Sequence, residues 1–171
     1  MMTTLSHPAV DVAVDALTGS GGAARPVAAI ERDGVVAVLA ETPTIQAVVF
    51  VEHRDGEWTP PKLVNGHPRR EIIRPATTGG IAPITRLCRK RVGPPVAPGA
   101  TPEWTWFAAT GTAAEDAVSV TITSSVDTHQ VEVGADGLVF AVVRVNTDDE
   151  PAIVVRTRDG REVPVPTPLA E

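Results

Sequence analysis

The spacing of apolar and polar positions changes at Pro26. Before it, residues 6–17, SHPAVDVAVDAL, place Val10, Val14 and Leu17 at i, i+4 and i+7, the spacing of one helix face. Ser6 stands where an N-cap belongs, and Pro8 falls in the first turn, where a missing N–H is not needed. TGSGG at 18–22 stops the run. A helix this short persists only by packing against other elements.

After Pro26 the pattern is that of pleated chain. VAAIERDGVVAVLAET (27–42) reads as two strands joined at Asp33-Gly34, and TIQAVVFVEHRDGEWTPPKLV (44–64) as two more joined at Asp55-Gly56. Asp-Gly between apolar runs signals a hairpin, because a tight primed turn needs positive φ at both central residues. The same dipeptide joins QVEV to LVFAVVRV at Asp136-Gly137 and precedes VPVP at Asp159-Gly160. Arg-Asp-Gly occurs at 32–34, 54–56 and 158–160, and turn chemistry accounts for it.

The C-terminal part reads as six short strands: 103–112, 117–124, 129–133, 138–145, 152–158 and 162–165. In AVSVTIT, Val118, Val120 and Ile122 face one way and Ser119, Thr121 and Thr123 the other. Such alternation gives one dry and one wet face, which is antiparallel sheet. No helical segment between these strands can serve as a βαβ crossover, so a sandwich is expected. Pro164, Pro166 and Pro168 mark an edge strand running out into an extended tail. The fold class predicted is mainly β, with antiparallel sandwich-like sheets and a short N-terminal helix.

Residues 67–102 break the pattern with dense proline and glycine. They read as a connector, in which ITRLCRKRV (84–92) reads as a turn of helix or a short strand, and a structureless loop of that length is uncommon within a compact domain. The predicted organisation is a helix and linker over 1–22, a four-stranded part over 23–66, the connector over 67–102 and a six-stranded part over 103–171. One compact domain built from both β parts stays open.

Charge sharpens this picture. The chain of 171 residues carries a net −6, yet residues 69–91 hold seven bases and one acid. Two acidic flanks thus enclose a basic island. One cysteine allows no internal disulfide, the N-terminus does not read as a signal peptide, and the apolar runs are too short to span a bilayer, so a cytoplasmic, non-membrane protein is expected.

Trp104, Gly111-Thr112, VSVTI (118–122), DGLVFAV (136–142) and VRTRDGRE (155–162) resemble the C-terminal β module of uncharacterised actinobacterial proteins. The resemblance covers about 60 residues, mostly turn and core positions. No activity attaches to that module, so it implies a β fold and carries over no functional residue.

Candidate chemistry is sparse. Cys88 lies among Arg86, Arg89, Lys90 and Arg91, and cations lower a thiol's pKa. A nucleophile also needs a base beside it, which sequence cannot place; a lone cysteine otherwise behaves as a small apolar residue. Arg69, Arg70, Arg74, Arg86, Arg89, Lys90 and Arg91 could grip phosphates, but no aromatic lies between Gly66 and Glu103 to stack on bases. Nucleic acid is therefore disfavoured against internal pairing or an acidic protein partner. His7, His53, His67 and His129 show no ligand spacing, and NTDDEP (146–151) lacks the alternating ligands of a calcium loop, so no metal and no cofactor is expected. Trp104 and Trp106, two apart on a strand, share a face, which anchors a core if dry and an interface if wet.

The function expected is a non-catalytic protein-interaction protein, contacting its partner through a strand edge, the tryptophan strand or the basic connector. Homo-oligomerisation through an edge strand is open to it. The alternatives are a Cys88-based redox sensor or thiol enzyme, and a weak polyanion binder using residues 69–91.

Overall fold

The structure, a computed structural model, describes residues 3–69, 71, 73–93 and 97–167. It is mainly β and antiparallel, with one short helix among the described residues. The chain divides into two compact units between residues 71 and 72.

The first unit begins with α1 (Pro8–Leu17). Its N-cap is His7 rather than the expected Ser6: the imidazole Nδ1 accepts the Ala9 N–H at 3.1 Å. Ser6 instead meets the Thr4 hydroxyl at 3.2 Å. The buried stripe is Ala9, Val10, Ala13 and Leu17, whereas Val14 is half-buried. Alanines on that stripe let the helix lie close to the sheet. Strands β1 (Arg25–Arg32), β2 (Val35–Glu41), β3 (Ile45–Arg54) and β4 (Glu57–Thr59) form a meander, and β5 (His67–Pro68) pairs with the start of β3. Against α1 the sheet presents Ala29, Val36, Val38, Ala40, Ala47, Val49 and Val51. Asp33-Gly34 has φ of 47° and 78°, and Asp55-Gly56 has 50° and 83°. Both pairs have the doubly positive φ of a primed hairpin turn.

The second unit is a β-sandwich. One sheet has the order β10–β7–β6, from β6 (Ile84–Val92), β7 (Trp104–Ala113) and β10 (Leu138–Asn146). The other has the order β12–β11–β8–β9, from β8 (Ala117–Thr123), β9 (Thr128–Glu132), β11 (Ala152–Thr157) and β12 (Glu162–Pro164). Phe107, Ala109, Val139, Ala141, Val143 and Val145 of the first sheet pack with Val120, Ile122, Ile153 and Val155 of the second.

Three sequence expectations change here. Residues 84–92, read as part of the connector and there as a turn of helix or a short strand, form the nine-residue strand β6, seven of whose residues pair in register with β7. Asp136-Gly137 is a corner between the two sheets, not a hairpin, since β9 and β10 belong to different sheets. Gly137 is required there because a Cβ would lie 2.4 Å from Nε of Arg74. Third, a bulge between Ala117 and Ser119 shifts Val118 to half-burial, and Ala117 takes the core position instead.

β6 also carries a bulge, between Thr85 and Cys88, with Arg86 at φ 53°. Gly111 on β7 permits it: a Cβ there would meet Ile84 Cγ2 at 2.5 Å. The bulge lets Ile84 and Leu87 both pack against the sandwich core while Arg86 stays exposed.

Candidate functional site

The basic island is dispersed by the fold. Arg69, in the first unit, joins Arg25 in holding the buried Glu41 carboxylate; its Nε lies 3.2 Å from Oε2. Arg70 lies outside the described residues. Arg74 belongs to the second unit and donates from all three guanidinium nitrogens: Nε to Ala113 O at 3.0 Å, Nη1 to Ala135 O at 2.6 Å and Nη2 to Ala114 O at 3.0 Å. Thr78 follows, donating its N–H and hydroxyl to Asp116 Oδ1 at 2.8 and 2.6 Å. Residues 73–83 are thus a strap pinned to the turn between β7 and β8.

On β6 the side chains alternate. Arg89 and Arg91 oppose Ala109 and Phe107, which face the sandwich core. Both reach past the edge of that core. Arg89 Nη2 donates to Pro166 O at 3.2 Å, and Arg91 Nη2 to Asp149 O at 2.7 Å and Glu150 Oε2 at 2.9 Å. Cys88 and Lys90 oppose Thr110 and Ala108 on the other face. Burial pushes the Cys88 thiol up, against the lowering effect of Arg86, and burial pulls Lys90 down. Among the described residues Cys88 has no hydrogen bond to an imidazole. The cations around Cys88 in sequence therefore do not make a thiolate, because desolvation outweighs the one guanidinium that acts on it.

The edges at β1, β6, β10 and β12 are occupied or interrupted. On β10, His129 Nδ1 accepts the Val142 N–H at 3.1 Å and Asp127 Oδ2 accepts the Arg144 N–H at 2.8 Å. β12 holds Pro164 and is followed by Pro166, β6 has its bulge and charges, and β1 has Pro26, a bulge beside it and the Thr3 N–H on Ala29 O. These are the devices by which sheets resist edge-to-edge pairing.

The tryptophans share a face, with Phe107 in the core behind them. Their ring centroids are 5.5 Å apart at 88°, and the Arg144 guanidinium lies 4.5 Å from the Trp104 centroid and 5.3 Å from that of Trp106. Trp106 is buried; Trp104 is half-exposed. Arg144 therefore holds the rings in place by cation–π contact. Trp104 follows Glu103 and pairs in register with Asn146. Beside it opens a groove of about 650 Å³ lined by Glu103, Ser125, Asn146, Thr147, Asp148 and Asp149. Its walls are cross-tied. Thr147 N–H donates to Glu103 O at 3.0 Å, Ser125 N–H to Asp149 Oδ2 at 2.7 Å and Asn146 Nδ2 to Ser125 Oγ at 3.2 Å. NTDDEP, which reads as a solvated turn, supplies one wall of this groove; what the sequence does not show is that Glu103 and Ser125 stand beside it.

A second aromatic group lies in the first unit. Trp58 sits 5.0 Å from the His7 ring and 4.8 Å from the His53 ring, and His7 Nε2 is 3.7 Å from Glu31 Oε2. Among the described residues no group of three or more His, Cys, Asp or Glu could hold a metal ion. No described helix is long and apolar enough to cross a membrane. No family model, curated protein or solved structure matches the chain.

Proposed function

We propose that this chain is a non-catalytic, cytoplasmic binding protein that takes a basic segment of a partner protein at the Trp104 end of the sandwich. The observation that carries this reading is a half-exposed tryptophan, stiffened by Arg144, beside a groove bearing the carboxylates of Glu103, Asp148 and Asp149. Tryptophans held in this way contribute heavily to protein contacts, because little side-chain entropy is left to lose. Three carboxylates favour a cationic partner and speed its encounter at low salt. The edges at β1, β6, β10 and β12, by contrast, are protected, and Arg74, Arg89 and Arg91 are held internally.

The test is quantitative capture from native extract with the wild type and Trp104→Ala, followed by titration of the captured protein's basic segment. Loss of that protein with Trp104→Ala, and an affinity that falls as salt rises, is the expected result. An unchanged captured set sinks the reading.

A further inference from the structure

The outer face of the four-stranded sheet carries a second site. Register aligns Glu132 on β9, Ser119 on β8 and Arg156 on β11 in one row, so all three point the same way. Beside the bulge at Val118 a cleft of about 240 Å³ opens, lined by Ser119, Gln130, Glu132, Arg156, Arg158 and Gly160 among others.

Two features distinguish this cleft from ordinary wet sheet. Ser119 is only 4% exposed, yet among the described residues its hydroxyl has no hydrogen-bond partner. The residue is buried but its hydroxyl oxygen is not enclosed, so it opens onto the cleft and can meet a ligand there. Arg156 is equally unspent. Arg74, Arg89, Arg91, Arg158 and Arg161 of the same unit each hold a backbone carbonyl or a carboxylate. Among the described residues Arg156 holds neither, and Glu132 has no ion pair.

The uncommitted charges decide the ligand class; Arg158, also on the lining, has its Nη2 on Glu115 O at 3.1 Å. Glu132 and Arg156 flank Ser119 from opposite sides, about 10 Å apart at Cβ by two strand spacings. A simple anion would meet Arg156 but be repelled by Glu132, and a simple cation the reverse. A solute with both charges on adjacent atoms satisfies both walls. We propose that this cleft binds the zwitterionic head of a free α-amino acid, with its carboxylate on the Arg156 fork, its ammonium on Glu132 and the Ser119 hydroxyl between them. Guanidinium binds carboxylate bidentately, which fixes the head's orientation. The volume lies below the usual range of about 300–1,000 Å³ for drug-sized pockets and admits one small molecule. A residue inside a peptide has neither charge on its backbone, so the free amino acid is selected over protein.

The test is a titration of the ¹⁵N-labelled full chain with glycine, acetate and methylammonium, following the amides of Ser119, Gln130, Glu132 and Arg156. Saturable shifts with glycine are expected, with acetate and methylammonium each weaker by about tenfold or more, since each lacks one charge-assisted hydrogen bond. Arg156→Gln and Glu132→Gln should each weaken glycine by a similar factor. Both side chains are exposed, so both variants keep the wild-type melting profile. No saturable shift with glycine overturns the proposal. So does acetate binding as tightly as glycine, or Glu132→Gln leaving glycine binding unchanged. None of these outcomes touches Trp104, so the reading of the groove stands or falls separately.

Discussion

The first unit covers its sheet with a helix, and the second covers a sheet with a sheet. The choice governs where polar chemistry is left over. In the first unit α1 needs a cap and the sheet needs its end closed, and polar residues serve those needs. His7 caps α1, while Arg25 and Arg69 hold Glu41. In the second unit the hydrogen-bonding groups of both sheets are met largely by strand pairing. Its arginines fasten loops and the open side of the sandwich, and the outer sheet face keeps Ser119, Glu132 and Arg156 uncommitted. A helix-on-sheet layer uses its side chains at element ends; a sandwich can leave a whole face available.

Core substitutions give the largest expected separation between the units. Phe107→Ala removes the largest fully buried side chain and should cost about 3–5 kcal/mol. Hydrogen exchange would show the loss in β7, β8 and β10; equal loss of protection throughout α1 would break the contrast. Leu17→Ala is the counterpart in the first unit, at about 2–5 kcal/mol, with α1 and β2 losing protection first. A denaturant melt of either variant that matches wild type would contradict the burial assigned to these residues.

Arg74→Ala comes next, at about 2 kcal/mol, because it leaves three carbonyls without their donor. The strap over 73–83 should then become sensitive to brief proteolysis, and an unchanged cleavage pattern would show that the ties at Pro75 and Thr78 suffice to fasten it. His7→Ala should cost about 1 kcal/mol through loss of the α1 cap, and His7→Asn much less, since asparagine also caps well. Equal melting temperatures for the two variants would remove the cap from the account.

The smallest effect concerns Cys88. Its pKa is raised by burial, so the thiol stays protonated at neutral pH and alkylation should be slower than for free cysteine. The folded-state value lies above the unfolded one. Its contribution to stability is therefore complete below the unfolded thiol pKa and is lost as pH rises through the folded value. Fast alkylation at pH 7 would revive a thiol chemistry for this strand.

Much of the fold is legible in the chain. Alternation in AVSVTIT and the valine runs of 35–40 and 47–51 mark strands because β-branched side chains suit a pleated surface. Asp33-Gly34 and Asp55-Gly56 mark hairpins because few other pairs accept two positive φ angles. Asp136-Gly137 carries the same letters and makes a corner instead. A turn residue reports local φ, whereas the choice of sheet is made by long-range pairing. β6 is only half legible for a related reason: ITRLCRKRV reads as a turn of helix or a short strand, because its arginines mask an edge strand whose apolar neighbours lie on β7. Ser6 and His7 are adjacent, and only the approach of the Ala9 N–H shows which of them caps.

The candidate sites divide along the same line. Trp104 and Trp106 declare a shared face by their spacing, and that follows from the period of a strand alone. Ser119 declares itself polar-facing in the same way. Local sequence thus determined the strands, their two faces and most of their turns, because those depend on φ/ψ preference and side-chain alternation within a few residues. Only tertiary structure decided which charges became fasteners and which stayed free. Pairing brings Glu132, Ser119 and Arg156 into one row from three strands, and it sets Arg91 against Glu150 across 59 residues of chain. Electrostatic and hydrogen-bonding partners are chosen by distance in space, which the order of residues does not encode residue by residue.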